Sequence, residues 1–163
     1  MNGLLRGIDR WIGRVVAIAK WLALPLVVLL FLQWPLRDVF RTFSREANDL
    51  GQVVFAFFVA VSVTAATRAK THLAADLLAR RYSPRVRRVL HRLGSALGLL
   101  SWALFVLIAS KPTVISSLRD FEAFQDSGNP GYFLIKLSLW VMAILIVLQS
   151  LIDLFRPQAA SDV

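Results

Sequence analysis

Four apolar stretches, separated by charged segments, set the terms on which this chain can fold. Leu50–Thr67 and Leu93–Ser110 each run 18 residues without a charge, and Trp21–Leu36 and Leu137–Ile152 each run 16. Stepping over Lys20 and Lys136 lengthens the last two to Val15–Leu36 and Tyr132–Ile152. A helix needs about 20 apolar residues to cross a hydrocarbon core roughly 30 Å thick. Lysines near helix ends fit that core by snorkelling their ammonium groups to its edge. The pattern predicts an all-α integral membrane protein, a single membrane domain over residues 1–163. Its four transmembrane helices fall at about 15–36, 50–67, 93–115 and 132–155, with a basic amphipathic segment at 68–92.

The cations lie mostly on one side of these spans. With the N-terminus inside, the inner segments outside the helices carry Arg6, Arg10, Arg14, Arg68, Lys70, Arg80, Arg81, Arg85, Arg87, Arg88, Arg92 and Arg156. The outer segments carry only Arg37, Arg41, Arg45, Lys111 and Arg119, nearly balanced by Asp38, Glu46, Asp49, Asp120, Glu122 and Asp126. The rule that Lys and Arg stay cytoplasmic then predicts both termini inside. The same rule accounts for the net charge of +9, so no nucleic-acid partner is expected. There is no cysteine, hence no disulfide or thiolate site. The first stretch has no small-x-small cleavage site after it and reads as a retained signal anchor.

Residues 4–15 place Leu4, Leu5, Ile8, Trp11, Ile12 and Val15 on one helical face and Arg6 and Arg10 on another. This is the pattern of a helix in the headgroup layer with its cations near anionic lipid; the alternative is a plain continuation of the first span. Pro25 should kink that span by freeing the carbonyl of Trp21. Ala56, Ala60 and Thr64 form a row of small residues in span two, as do Gly94 and Gly98 in span three. Such rows let another helix approach closely, within the chain or from another subunit. Ser83-Pro84 is a helix start, and an earlier helical turn is expected over His72–Ala79. Span three is expected to continue past Pro112 to Leu118, with Phe121 and Phe124 at the outer interface. Ser127-Gly128-Asn129-Pro130-Gly131 is a turn.

Charge inside a membrane is the first place to look for chemistry. Lys20 and Asp153 share a depth near the inner surface, where they could form an ion pair or both snorkel. The middle third of every span lacks acid and histidine, so no proton relay, ion site or direct substrate site is expected in this chain. Gln33 and Gln149 are explained by packing hydrogen bonds. His72 and His91 could ligate a haem only if sheltered, and both fall among cations at the cytoplasmic edge. No phosphate loop, metal-ligand cluster or nucleophile–base pair is present, so neither an enzyme nor a cofactor or metal site is predicted.

A family resemblance enters between spans one and two. Arg37-Asp38-Val39-Phe40 closes the first span, Asn48-Asp49-Leu50 opens the second, and His72-Leu73-Ala74-Ala75-Asp76 follows it in a basic stretch. In this order the chain resembles the small membrane subunits of tripartite ATP-independent periplasmic (TRAP) transporters over about residues 15–155. Those subunits carry Arg-Tyr-Val-Phe, an acidic pair and a His-x3-Asp at these places; Asp38 and Asn48 depart from the pattern.

The resemblance implies a subunit that braces a large membrane transport subunit. It also implies help in docking a periplasmic substrate-binding protein, in sodium-driven uptake of an organic anion of the carboxylate or sulfonate class. It marks Arg37, Phe40, Asp49, His72 and Asp76 as motif residues. Physically, Arg37 and Asp49 either clamp spans one and two or are two solvated charges, and His72 and Asp76 can pair on a helix. Arg41, Arg45 and Asp126 are the candidate periplasmic docking residues. A small subunit of a tricarboxylate-type importer and a haem-binding anchor of a redox complex remain alternatives.

Overall fold

The computed structural model describes residues 3–40, 44–69, 83, 86, 89 and 93–155. Helix α1 spans Gly3–Ala19, a 3-10 turn covers Lys20–Leu22, and α2 spans Ala23–Asp38. Helix α3 spans Arg45–Arg68. A π-helical segment, Gly94–Leu100, leads into α4, Ser101–Arg119, and α5 spans Tyr132–Phe155. Among the described residues, four helical stretches are long and apolar enough to cross a membrane: Gly3–Pro35, Arg45–Arg68, Leu97–Arg119 and Tyr132–Phe155. No strand occurs among the described residues, only an isolated bridge between Ala123 and Pro130.

The first span is interrupted one turn before Pro25. Proline has no N–H to give the Trp21 carbonyl. Tightening the backbone over Lys20–Leu22 makes Pro25 a first-turn residue of α2, where the missing donor costs little. Helix α3 begins earlier than the apolar pattern indicated. Ser44 is its N-cap, its Oγ accepting from the Ala47 N–H at 3.2 Å, with Glu46 in the first turn. Helix α2 meanwhile runs past Pro35 to Asp38, so the connection expected over Arg37–Asp49 shrinks to residues 39–44. Helix α4 continues through Pro112 to Arg119, as expected. Ser83 Oγ accepts from the Val86 N–H at 3.5 Å, in line with a helix start there.

Packing follows the order α2, α3, α5, α4, with α1 laid against both α3 and α5. The core joins Ile12 and Ala19 of α1 to Val61 of α3 and to Leu145 and Ile152 of α5, with Leu5, Ile8, Val15 and Val16 packed around it. Ile12 is fully buried. Ile12, with Leu5, Ile8 and Val15 beside it, is therefore taken up by protein, whereas Leu4 and Trp11 of the same stripe are exposed. Arg6, Arg10 and Arg14 remain exposed on the opposite face.

Ala60 and Thr64 are buried in α3, where Thr64 Oγ1 bonds the Ala60 carbonyl at 3.3 Å, and Ala56 is half-buried. Gly94 and Gly98 are exposed, and nothing lies within 4 Å of where a Cβ would stand on either. The small-residue row is thus used within this chain at span two and not at span three. Helix α4 is joined to α5 instead by Trp140 Nε1 donating to Ser110 Oγ at 2.9 Å.

Candidate functional site

The described spans carry most of their polar contacts at the two ends of α3, so the candidate sites are the clusters there. At the N-terminal end, Asp49 is 8% exposed. Its Oδ2 accepts from Ser127 Oγ at 2.5 Å and from Asn129 Nδ2 at 3.1 Å, while the Asn129 N–H donates to Ser127 Oγ at 3.2 Å. These donors stand on the turn predicted over residues 127–131. Gly128 and Gly131 take φ of +71° and +143° there, conformations that L side chains rarely adopt. Phe124 closes the turn from inside, its carbonyl accepting the Gly128 N–H and its N–H donating to Asn129 O, both at 2.9 Å. Phe124 is 6% exposed and meets Tyr132 edge-on at 5.5 Å, so it is a packing residue and not the interfacial one expected. Phe121 is exposed, with its ring edge-on to Phe133.

Around this knot, Arg45 Nη1 donates to the Asp126 carbonyl at 3.2 Å, so two candidate docking residues are brought together. Asp126 contributes its backbone to that bond, and its side chain stands on an exposed residue. On the far side of the loop Glu122 Oε2 accepts from Lys136 Nζ and from Ser117 Oγ, each at 2.5 Å. Lys136 donation first, and Ser117 donation second, hold the Glu122 carboxyl below its ordinary value of 4.5, against a smaller opposing effect of desolvation.

At the C-terminal end of α3, Arg68 Nη1 lies 2.9 Å from Asp9 Oδ1 and donates to Gln149 Oε1 at 3.0 Å. Gln149 Nε2 in turn donates to Asp153 Oδ1 at 3.1 Å. One guanidinium therefore ties α1, α3 and α5 together. The cation also suits the helix C-terminus.

The sequence-predicted residues divide accordingly. Asp49 is a built-in centre whose described partners are Ser127 and Asn129. Arg37 lies in the last turn of α2, with its side chain outside the described residues, and Phe40 is 71% exposed just beyond it. Asp153 takes its bond from Gln149, whereas Lys20 is exposed and has no carboxylate partner among the described residues. Of the two alternatives for Lys20 and Asp153, pairing or snorkelling, the described residues show no pairing, and the ion pair at this end of α3 is Arg68–Asp9. Arg41, His72, Asp76 and His91 lie outside the described residues.

Sequence reasoning missed Arg68, counted only as an orienting cation, and Asp9. The signal was present: opposite charges at the same end of two neighbouring helices. It also missed Ser127 and Asn129, whose donors flank a glycine in a turn.

Residues 26–159 match the model of a family described as the DctQ component of tripartite ATP-independent periplasmic transporters. No curated protein and no solved structure matches the chain.

Proposed function

This chain belongs to the DctQ component family of tripartite ATP-independent periplasmic transporters, and from that premise we propose how it serves as the small membrane subunit. It braces a large transport subunit in a bacterial inner membrane, with both termini cytoplasmic. The Asp49 end then faces the periplasm and helps dock a soluble binding protein that delivers an organic anion, a carboxylate or sulfonate, for sodium-driven uptake. The observation that carries the docking part is the ordered Asp49 end. There Asp49, Ser127, Asn129 and the Arg45–Asp126 bond fix the loop 120–131 against the start of α3. A surface held this way presents a partner with a fixed pattern of charge at little entropic cost on binding. The bias of Lys and Arg toward the other end supports the orientation.

Asp126 offers a clean test. Asp126→Lys reverses an exposed charge while leaving the carbonyl that Arg45 uses. The expected result is weakened uptake in cells, with the subunit still recovered in the membrane beside a much larger polytopic protein. Unchanged uptake would remove the docking role. Copurification with a quinone-linked oxidoreductase in place of such a partner would remove the bracing role too.

A further inference from the structure

We propose that the groove between the α1–α2 junction and α3 binds one anionic phospholipid, its acyl chain in the groove and its phosphate on Lys20. The groove has a volume of about 300 Å³ and is walled by Ala19, Lys20 and Ala23 on one side and by Phe58, Ser62 and Ala65 on the other. Ala19 and Lys20 stand four and three residues before Ala23, and Phe58, Ser62 and Ala65 follow one another at four and three, so each side of the groove is walled by about one helical turn or two. Val16 and Val61 complete the lining, and four of its eight side chains are no larger than serine, which opens the groove between the two helices. An α-helix about 10 Å across would occupy roughly 800 Å³ over two turns, well above the volume of this groove, whereas a hydrocarbon chain is far thinner.

The charge selects the headgroup. Lys20 is exposed in the tight turn within the first span and has no hydrogen bond or ion pair among the described residues. An uncompensated cation beside hydrocarbon is costly. The other groove walls are apolar save for the Ser62 hydroxyl, so they supply no counter-charge. An occupant that satisfies both halves of the site must join an apolar chain to an anion. A membrane supplies that as an anionic phospholipid. The site stands on the groove and Lys20 alone and does not depend on the transport role.

The test uses the full-length chain in nanodiscs of phosphatidylcholine with a minority of phosphatidylglycerol, followed by native mass spectrometry of retained lipid. Selective retention of one phosphatidylglycerol is expected. Lys20→Ala should lower that retention about fivefold, the factor for one lysine near an anionic surface, and Lys20→Arg should keep it. Ala65→Phe fills the groove and should abolish retention of either lipid. Equal retention of the two lipids, or phosphatidylglycerol retention indifferent to Lys20→Ala, overturns the proposal. So does a photo-crosslinker at position 23 that captures a protein instead of lipid. Should Ala65→Phe fail to fold, the two Lys20 variants decide alone, since that side chain is exposed. Recovery of the larger transport subunit from the same membranes reports on the bracing role separately.

Discussion

Asp49 at one end of α3 and Arg68 at the other both tie that helix to α5 or to the turn that leads into it, but they do so with opposite charge balance. Asp49 is buried, and its described hydrogen-bond donors, Ser127 and Asn129, are neutral. Arg68 is about one quarter exposed at its side chain and divides its donors between a carboxylate and an amide. Burial, more than formal charge, decides what each hold is worth. Water can take over part of what Arg68 does, whereas removing Asp49 strands donors in a closed turn.

The comparison is broken most directly by Asp49→Ala. It should cost about 3 kcal/mol, because two charge-assisted hydrogen bonds are lost and their donors left unpaired. Thermal unfolding in mild detergent measures it, and a loss no larger than that of Arg68→Ala would defeat the ranking by burial. Arg68→Ala should cost about 1.5 kcal/mol and speed hydrogen exchange along α1, the helix anchored through Asp9. Arg68→Lys should recover only part, since lysine lacks the planar fork. Asp9→Asn should cost about 0.5 kcal/mol, as for other partly exposed pairs.

The smallest effect is expected from pH at Glu122. Its folded pKa is depressed, so its contribution is present above the ordinary value of 4.5 and is lost as pH falls through the folded value. Hydrogen exchange in the loop 120–131 should therefore show no Glu122-linked loosening from neutral pH down to about pH 5, and should loosen in stronger acid. Lys136→Gln removes the largest cause of the depression, so that loosening should begin at higher pH.

How much of this was legible beforehand follows from what each sequence signal measures. Apolar runs report the part of a helix that suits hydrocarbon, so all four spans were readable. The start of α3 was not, because Arg45 to Asp49 is a polar turn whose helicity comes from the Ser44 cap. The turn at 127–131 was readable from its glycines and proline. That its Ser127 and Asn129 would aim at Asp49, some 78 to 80 residues away in sequence, depends on how α3 and α5 pack. The π-helical register at Gly94–Leu100 has no sequence signature of the kind used to find the spans; its two exposed glycines are compatible with it but do not require it. Arg68 was visible as a charge, yet its role appears only once α1 is placed beside α3.

The limited burial along the first span bears on how such a protein is made. Helix α2 leaves Leu24, Val27, Val28, Phe31 and Leu32 facing outward, and its span contains the most apolar stretch of the four. A segment that asks so little of the rest of its own chain is content in lipid as soon as it leaves the ribosome. Helix α5, the most enclosed of the four spans and the last to emerge, is needed by α1, α3 and α4 alike. Insertion of that segment can thus precede tertiary assembly, which waits for α5.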